Sequence, residues 1–118
     1  MIKTQNAARI AELNAICRKS VQVPVFGDNG IRCKIVFTRG IAALSPESQI
    51  IIASMVRDFD DFTSANDPHG EHDFGAFDYD GMSIFWKYGY YAPDMCHGSE
   101  DPTDIMQTVR VLTIMLAS

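Results

Sequence analysis

The dipeptide Asp80-Gly81 constrains the fold of this chain more than any other feature, because it separates two runs of alternating side chains. Asp-Gly is a strong hairpin signal, since a two-residue turn needs left-handed backbone at both central positions. The flanking runs cover residues 73–79 and 82–91, and both of their faces carry large side chains. The pattern predicts a β-hairpin that lies in the middle of a sheet rather than at its edge.

Two segments before this hairpin carry helix signals. Residues 4–19 repeat apolar side chains at spacings of three and four, which is typical of an amphipathic helix. Ser45 and Pro46 supply a capping hydroxyl and a proline suited to the first helical position. We therefore predict a second helix that runs from there to about Arg57.

The C-terminal segment repeats the same signals. Residues 99–104 read SEDPTD, with Pro102 at the place of a first helical residue. The residues that follow are apolar on one broad face, including Val109, Leu112 and Met115. This pattern predicts a third helix from Pro102 to the end of the chain.

An earlier hairpin is predicted at residues 21–37. Residues 21–26 have extended character, residues 27–30 read GDNG, and residues 31–37 alternate as a half-buried strand does. Arg32 and Lys34 fall on the outer face of that strand, which makes the face basic.

Together these elements predict an α+β fold in a single domain that spans residues 1–118. About three helices would pack on an antiparallel sheet made of two hairpins. A chain of 118 residues is the size of one ordinary domain. Its apolar runs are far shorter than a membrane span.

The three cysteines, Cys17, Cys33 and Cys96, are odd in number and widely spaced. They therefore predict neither a disulfide framework nor a cysteine metal clip. The first residues also lack the continuous apolar region of a secretion signal. These features predict a cytoplasmic location.

The formal net charge of −5 hides a division of charge along the chain. Residues 1–57 carry a charge of +5 and residues 58–118 a charge of −10, and residues 58–86 contain neither lysine nor arginine. An acidic surface repels nucleic-acid phosphates and attracts basic protein patches. The composition predicts a basic protein partner, without direct binding to nucleic acid or membrane.

Nine residues of the second half are candidates for such a binding surface. The carboxylates could imitate a row of phosphates and occupy the cationic groove of a nucleic-acid-binding protein, in a complex that salt weakens. The aromatic hairpin would brace them. The candidates are Asp58, Asp60, Asp61, Asp67, Glu71, Asp73, Asp78, Asp80 and Trp86.

The polar segment at residues 67–73 allows a different interpretation. Imidazole and carboxylate ligands suit zinc or manganese, so His69, Glu71 and His72 are candidate metal ligands of an enzyme. A structural loop built on an Asx turn, with its histidines bonded to nearby carbonyls, explains the same residues without a metal.

Three blocks of sequence are distinctive: NDPHGEHDFG at residues 66–75, FWK followed by YY within residues 85–91, and RVLTIMLA at residues 110–117. They resemble a small uncharacterised bacterial domain family that is often carried on plasmids and prophages. The resemblance implies no activity that can be carried over to this chain. Its mobile-element setting implies an anti-defence role, because small acidic proteins on such elements often disarm restriction or CRISPR complexes.

The leading prediction is a non-enzymatic acidic protein that docks on a basic protein surface, as an anti-CRISPR or antirestriction inhibitor would. Two alternatives stay open. One is a metal-dependent enzyme with zinc or manganese in the 67–73 loop. The other is a homo-oligomeric structural protein, such as a homodimer formed through the aromatic hairpin or the apolar C-terminal segment.

Overall fold

The fold is a four-stranded mixed sheet with three helices, seen in a computed structural model that describes residues 2–21 and 30–117. The strand order is β1-β4-β3-β2, in which β1 and β4 are parallel and the other pairs antiparallel. The α+β class is confirmed, whereas a purely antiparallel sheet is wrong. The elements are α1 (Ile2–Lys19), β1 (Arg32–Phe37), α2 (Arg39–Ala42), α3 (Pro46–Arg57), β2 (Phe74–Tyr79), β3 (Met82–Tyr91) and β4 (Val109–Leu116).

The predicted hairpin around Asp80-Gly81 is confirmed as β2 and β3. Asp80 and Gly81 have φ angles of 51° and 77°, so both adopt the left-handed backbone that the turn requires. β3 pairs with β2 on one side and β4 on the other, so it is central as expected. The prediction that the whole hairpin lies away from the edge is wrong, because β2 is the outermost strand of the sheet.

The two predicted N-terminal helices are confirmed as α1 and α3. At the start of α3 the Ser45 hydroxyl accepts a hydrogen bond from the backbone N–H of Ser48. Ile52 and Val56 are fully buried on its inner side. Ile51 is 44% exposed, because it lies one position outside the inner stripe. No helix in the described residues is long and apolar enough to cross a membrane.

The predicted C-terminal helix is wrong, because residues 109–116 form the inner strand β4. A short run of apolar residues reads alike in a buried helix and in an inner strand of a sheet. The supposed helix start is a set of turns instead. Asp101 accepts hydrogen bonds from the backbone N–H and the hydroxyl of Thr103, and the Asp104 N–H donates to the Asp101 carbonyl.

The predicted hairpin at residues 21–37 lies partly outside the described residues, which omit 22–29. Its second strand is confirmed as β1, although β1 pairs with the distant β4 in parallel. Arg32 and Lys34 are exposed on it, as the basic face requires.

The hydrophobic core lies between the helices and one face of the sheet. α1, α2 and α3 all contribute buried side chains to it, and β3 and β4 contribute residues at alternate positions. Its buried members are Cys17, Val21, Ile41, Ile52, Ala53, Val56, Ile84, Trp86, Tyr88, Leu112 and Ile114.

Cys17 and Cys33 form a disulfide bond, contrary to the expectation from the cysteine count. Cys17 lies on the inner side of α1 and Cys33 packs against the core from β1. Their Cα atoms are 5.8 Å apart, within the range of about 4.4–6.8 Å that a disulfide spans. Spacing along the chain could not reveal this pair, because the fold brings the two residues together. Cys96 is free and exposed.

Cys33→Ser is expected to lower the free energy of unfolding by about 3 kcal/mol in the absence of a reductant, because the bond closes a loop of intermediate length. Urea unfolding followed by tryptophan fluorescence measures the loss. Cys96→Ser is the matched control and should leave the value unchanged. Alkylation of all three thiols in the folded, unreduced protein would contradict the bond.

Candidate functional site

The loop between α3 and β2 is fixed by its own side chains. The Asp67 carboxylate is buried, and it accepts hydrogen bonds from the backbone N–H of His72 and from His72 Nδ1. The Asn66 side chain accepts from the Thr63 N–H at 2.8 Å and donates to the Asp61 carbonyl at 2.8 Å. The loop therefore resembles the structural loop expected from its composition. The difference is that His72 bonds to the carboxylate of Asp67, whereas a nearby carbonyl was expected.

Aromatic contacts bring residues 58–62 against this loop. The Phe62 ring stacks on the His72 ring, with centroids 4.0 Å apart. Phe59 and Phe62 both meet Trp86 edge to face. Trp86 is 0% exposed, so its ring supports this surface from inside and cannot contact a partner, contrary to the role predicted for it.

A buried polar network lies beneath the loop, with Asn14 of α1 at its centre. The Asn14 amide donates to the Glu71 carbonyl at 3.1 Å and to the Tyr90 hydroxyl at 2.8 Å. Asn14 Oδ1 accepts from Arg110 Nε at 2.9 Å, and the Asn14 carbonyl accepts from the Tyr88 hydroxyl at 2.7 Å. Each of the three distinctive sequence blocks therefore supplies a hydrogen-bond partner of Asn14, which itself lies outside all three blocks.

Sequence reasoning missed Asn14, although a signal was present. Asn14 follows Leu13 and lies four residues after Ile10, so a polar side chain falls on the apolar side of the helix. A buried amide needs several partners to satisfy its two donors and its acceptor. A polar residue in such a position is therefore a sign of an internal hydrogen-bond network.

Two arginines are buried beneath the same surface. Arg18 donates to the Phe59 carbonyl and lies over the Trp86 ring, 5.2 Å from its centroid. Arg110 donates to Asn14 and to the Pro102 carbonyl. Burial lowers the pKa of both guanidinium groups. Neither arginine forms a salt bridge with a carboxylate in the described part of the chain.

Four of the predicted acidic residues remain near the surface at this end of the molecule. Asp60 and Asp61 are exposed and precede Phe62, while Glu71 and Asp73 are half-buried on either side of His72. Because Phe62 and His72 stack, both pairs belong to one region. We call this region the acidic end, and it consists of Asp60, Asp61, Glu71 and Asp73.

The charge of the acidic end is only partly compensated. Burial raises the pKa of the Glu71 carboxyl, and the negative charge of Asp73 raises it further. A hydrogen bond from Tyr90 and the nearby His69 act in the opposite direction. A cation placed against Glu71 and Asp73 would relieve their mutual repulsion and would favour the ionised form of Glu71.

The other predicted acidic residues lie elsewhere or are already paired. Asp58 forms a salt bridge with Arg57 at 3.0 Å, and Asp67 is turned inward. Asp78 and Asp80 lie at the hairpin turn, at the far end of β2, which is about 20 Å from its start. The single row of phosphate-like charges expected from the sequence is therefore two separate groups.

The residues proposed as metal ligands are not arranged as a metal site. His72 Nδ1 is engaged by Asp67, and its backbone φ is 53°. Across residues 2–21 and 30–117 no three His, Cys, Asp or Glu side chains are grouped so that they could hold one metal ion. The geometry gives His69, Glu71 and His72 no shared zinc or manganese position.

A family model described as a protein of unknown function, DUF3768, matches residues 37–118. The chain belongs to the DUF3768 family. The DUF3768 match includes α3, the acidic end and strands β2 to β4, and it leaves α1 with Asn14 outside. Comparisons of this DUF3768 member with curated proteins and with solved structures gave no match.

Proposed function

We propose that this chain is a non-enzymatic binding protein whose acidic end docks on a cationic surface of another protein. One observation carries the proposal: none of the four carboxylates of the acidic end forms an ion pair with lysine or arginine among the described residues. Arg18, whose pKa responds to the charge of Asp60, is buried and cannot move out to pair with it.

The rigidity of the acidic end supports the same function. The carboxylates lie on segments fixed by the Phe62–His72 stack and by the hydrogen bonds of Asp67 and Asn66. A surface that is already ordered loses little conformational entropy on binding. The acidic end can therefore present its charges to a partner in the positions that they occupy in the free protein.

The partner class proposed here is a nucleic-acid-handling complex of a host defence system. A groove that binds phosphates is lined with lysine and arginine, and a fixed group of carboxylates can occupy it by the same electrostatics. An anti-CRISPR or antirestriction inhibitor encoded on a mobile element acts in this way. Such an inhibitor works in the cytoplasm, where glutathione would act to reduce the Cys17–Cys33 bond.

Asp60→Asn/Asp61→Asn is expected to weaken binding to an oligoarginine peptide about three- to tenfold at low salt, since each exposed ion pair contributes about 0.2–1 kcal/mol. Fluorescence anisotropy with a labelled peptide measures the change. Asp78→Asn/Asp80→Asn is the matched control, because it removes the same charge at the hairpin turn. Equal losses in both variants would show that net charge alone attracts the peptide, and would contradict a docking site at the acidic end.

The partner class is tested by affinity capture from a bacterial lysate at low and high salt. The expected result is a nucleic-acid-handling complex that is retained at low salt, displaced by added DNA and lost with Asp60→Asn/Asp61→Asn. The Asp78→Asn/Asp80→Asn variant should still capture it. A complex that resists both salt and DNA would contradict docking in a phosphate-binding groove.

A further inference from the structure

The sheet has a second face, on the side away from the helices, and its side chains are not part of the hydrophobic core. Strand alternation points these residues away from the core. None of the core residues contributed by the helices lies on this side. We call it the open face, and its members are Arg32, Lys34, Val36, Phe74, Ala76, Asp78, Ser83, Phe85, Lys87, Gly89, Tyr91, Val109, Val111, Thr113 and Met115. Val109, beside Tyr91, is the buried member.

The open face is positively charged although the protein is acidic. Arg32, Lys34 and Lys87 are exposed on it. Asp78 lies on its outermost strand near the hairpin turn, where it accepts a hydrogen bond from Ser83 at 3.2 Å. Charges more than about 8 Å apart are largely screened at physiological ionic strength. An anion near Lys87 therefore meets local positive charge rather than the average charge of the molecule.

Aromatic rings surround Lys87 on this face. Lys87 is directly paired with Phe74 across the β2–β3 ladder, and Phe85 lies two residues before it on the same side of β3. The Phe74 and Phe85 rings form an edge-to-face pair with centroids 5.3 Å apart. These rings and the lysine present an apolar surface next to a positive charge.

A third ring lies on the other side of Lys87. A Cβ atom at Gly89 would lie only 2.8 Å from Cε2 of Tyr91, so the Tyr91 ring extends across the glycine. Tyr91 is 39% exposed. From Phe85 to Gly89 the strand rises about 13 Å, so two bases can stack on separate rings with Lys87 between them.

We propose that the open face binds single-stranded nucleic acid. Unpaired bases stack on Phe85 and Tyr91, and backbone phosphates contact Lys34 and Lys87. A sheet that combines aromatic rings with basic side chains is a recurrent way to hold single strands, because every base has a stacking surface. A duplex offers no unstacked bases to such a surface. The negative net charge of the chain predicted no binding to nucleic acid. That net charge is a sum over the whole molecule, whereas the charged side chains of the open face are mainly basic.

The proposal is tested by anisotropy titrations of a fluorescein-labelled oligodeoxythymidine and the matching oligouridine. With about two phosphates neutralised, at Lys34 and Lys87, affinity is expected to fall about sevenfold between about 50 and 200 mM salt. Lys87→Gln should weaken binding and reduce the salt dependence, and Phe85→Leu and Tyr91→Leu should each weaken binding about tenfold. Comparison of the two oligonucleotides shows whether the face prefers DNA or RNA.

Lys19→Gln is the matched control for Lys87→Gln, because it removes the same charge from an exposed position on α1, on the helix side of the sheet. It should leave oligonucleotide binding unchanged. Trp86, the single tryptophan, is buried, so its fluorescence confirms that each variant is folded. A folded Tyr91→Leu variant with reduced affinity would support stacking on the exposed ring.

Four results would overturn the proposal. They are no binding of either oligonucleotide at low salt, equal losses in Lys19→Gln and Lys87→Gln, competition by polyglutamate as effective as that by the single strand, and concentration-dependent light scattering that is lost with Phe85→Leu. Polyglutamate competition would assign the face to an acidic peptide, and concentration-dependent light scattering lost with Phe85→Leu would assign it to a second copy of this chain. The proposed function of the acidic end is tested independently of this proposal, because Asp60→Asn/Asp61→Asn leaves the open face intact.

Discussion

Asn14→Ala is expected to lower the free energy of unfolding by about 3 kcal/mol, because it leaves a buried charged donor without its acceptor. The side chain is 0% exposed. Its removal leaves Arg110 Nε without its acceptor, and the Glu71 carbonyl and Tyr90 hydroxyl without their donor. Urea unfolding followed by tryptophan fluorescence measures the loss.

The matched control is Asn6→Ala, at an exposed position of the same helix. It should change the free energy of unfolding by less than about 0.5 kcal/mol. Asn14→Asp offers Arg110 a carboxylate acceptor and should lose less stability than Asn14→Ala. A loss below about 1 kcal/mol for Asn14→Ala, the size of one ordinary hydrogen bond, would contradict the central place of Asn14 in the network.

Gly75→Ala is expected to cost about 3 kcal/mol of folding stability, at the upper end of the range for overpacked cores. A Cβ atom at Gly75 would lie 2.3 Å from Nε1 and 2.5 Å from Cε2 of Trp86. The indole cannot move aside, because Phe59, Phe62 and Tyr88 meet it edge to face. The tryptophan emission spectrum and the urea midpoint should both shift.

Gly98→Ala is the control for Gly75→Ala, since the nearest heavy atom to its added Cβ would be the Tyr90 carbonyl oxygen at 3.9 Å. That distance is an ordinary van der Waals contact. The Gly98 variant should keep the wild-type stability. Equal stability of both variants would mean that the sheet shifts freely around Trp86, contrary to its close packing.

The parts of the fold that were predicted correctly are those specified by neighbouring residues. The turn at Asp80-Gly81 and the cap at Ser45 depend on side chains and backbone angles within four residues. β4 was misread because its identity depends on neighbours distant in sequence. Its apolar run suits a helix equally well until β1 and β3 pair with it on both sides.

The same distinction applies to the candidate site. The structural character of the loop after α3 was foreseeable from its turn-forming residues, whereas its contact with Asn14 joins residues 57 positions apart. The Cys17–Cys33 bond also depends on the fold, because its two residues are 16 positions apart. The prediction of a single row of carboxylates was wrong for a geometric reason. An extended strand separates Asp78 and Asp80 from the other carboxylates.

The position of β4 inside the sheet has a consequence for synthesis on the ribosome. Of the four described strands β4 is translated last, yet it lies between β1 and β3. Until residues 109–116 emerge, β1 and the β2–β3 ribbon share no neighbour, and the nascent chain exposes unpaired strand edges to chaperones and proteases. The sheet can therefore close only after translation has passed its final strand.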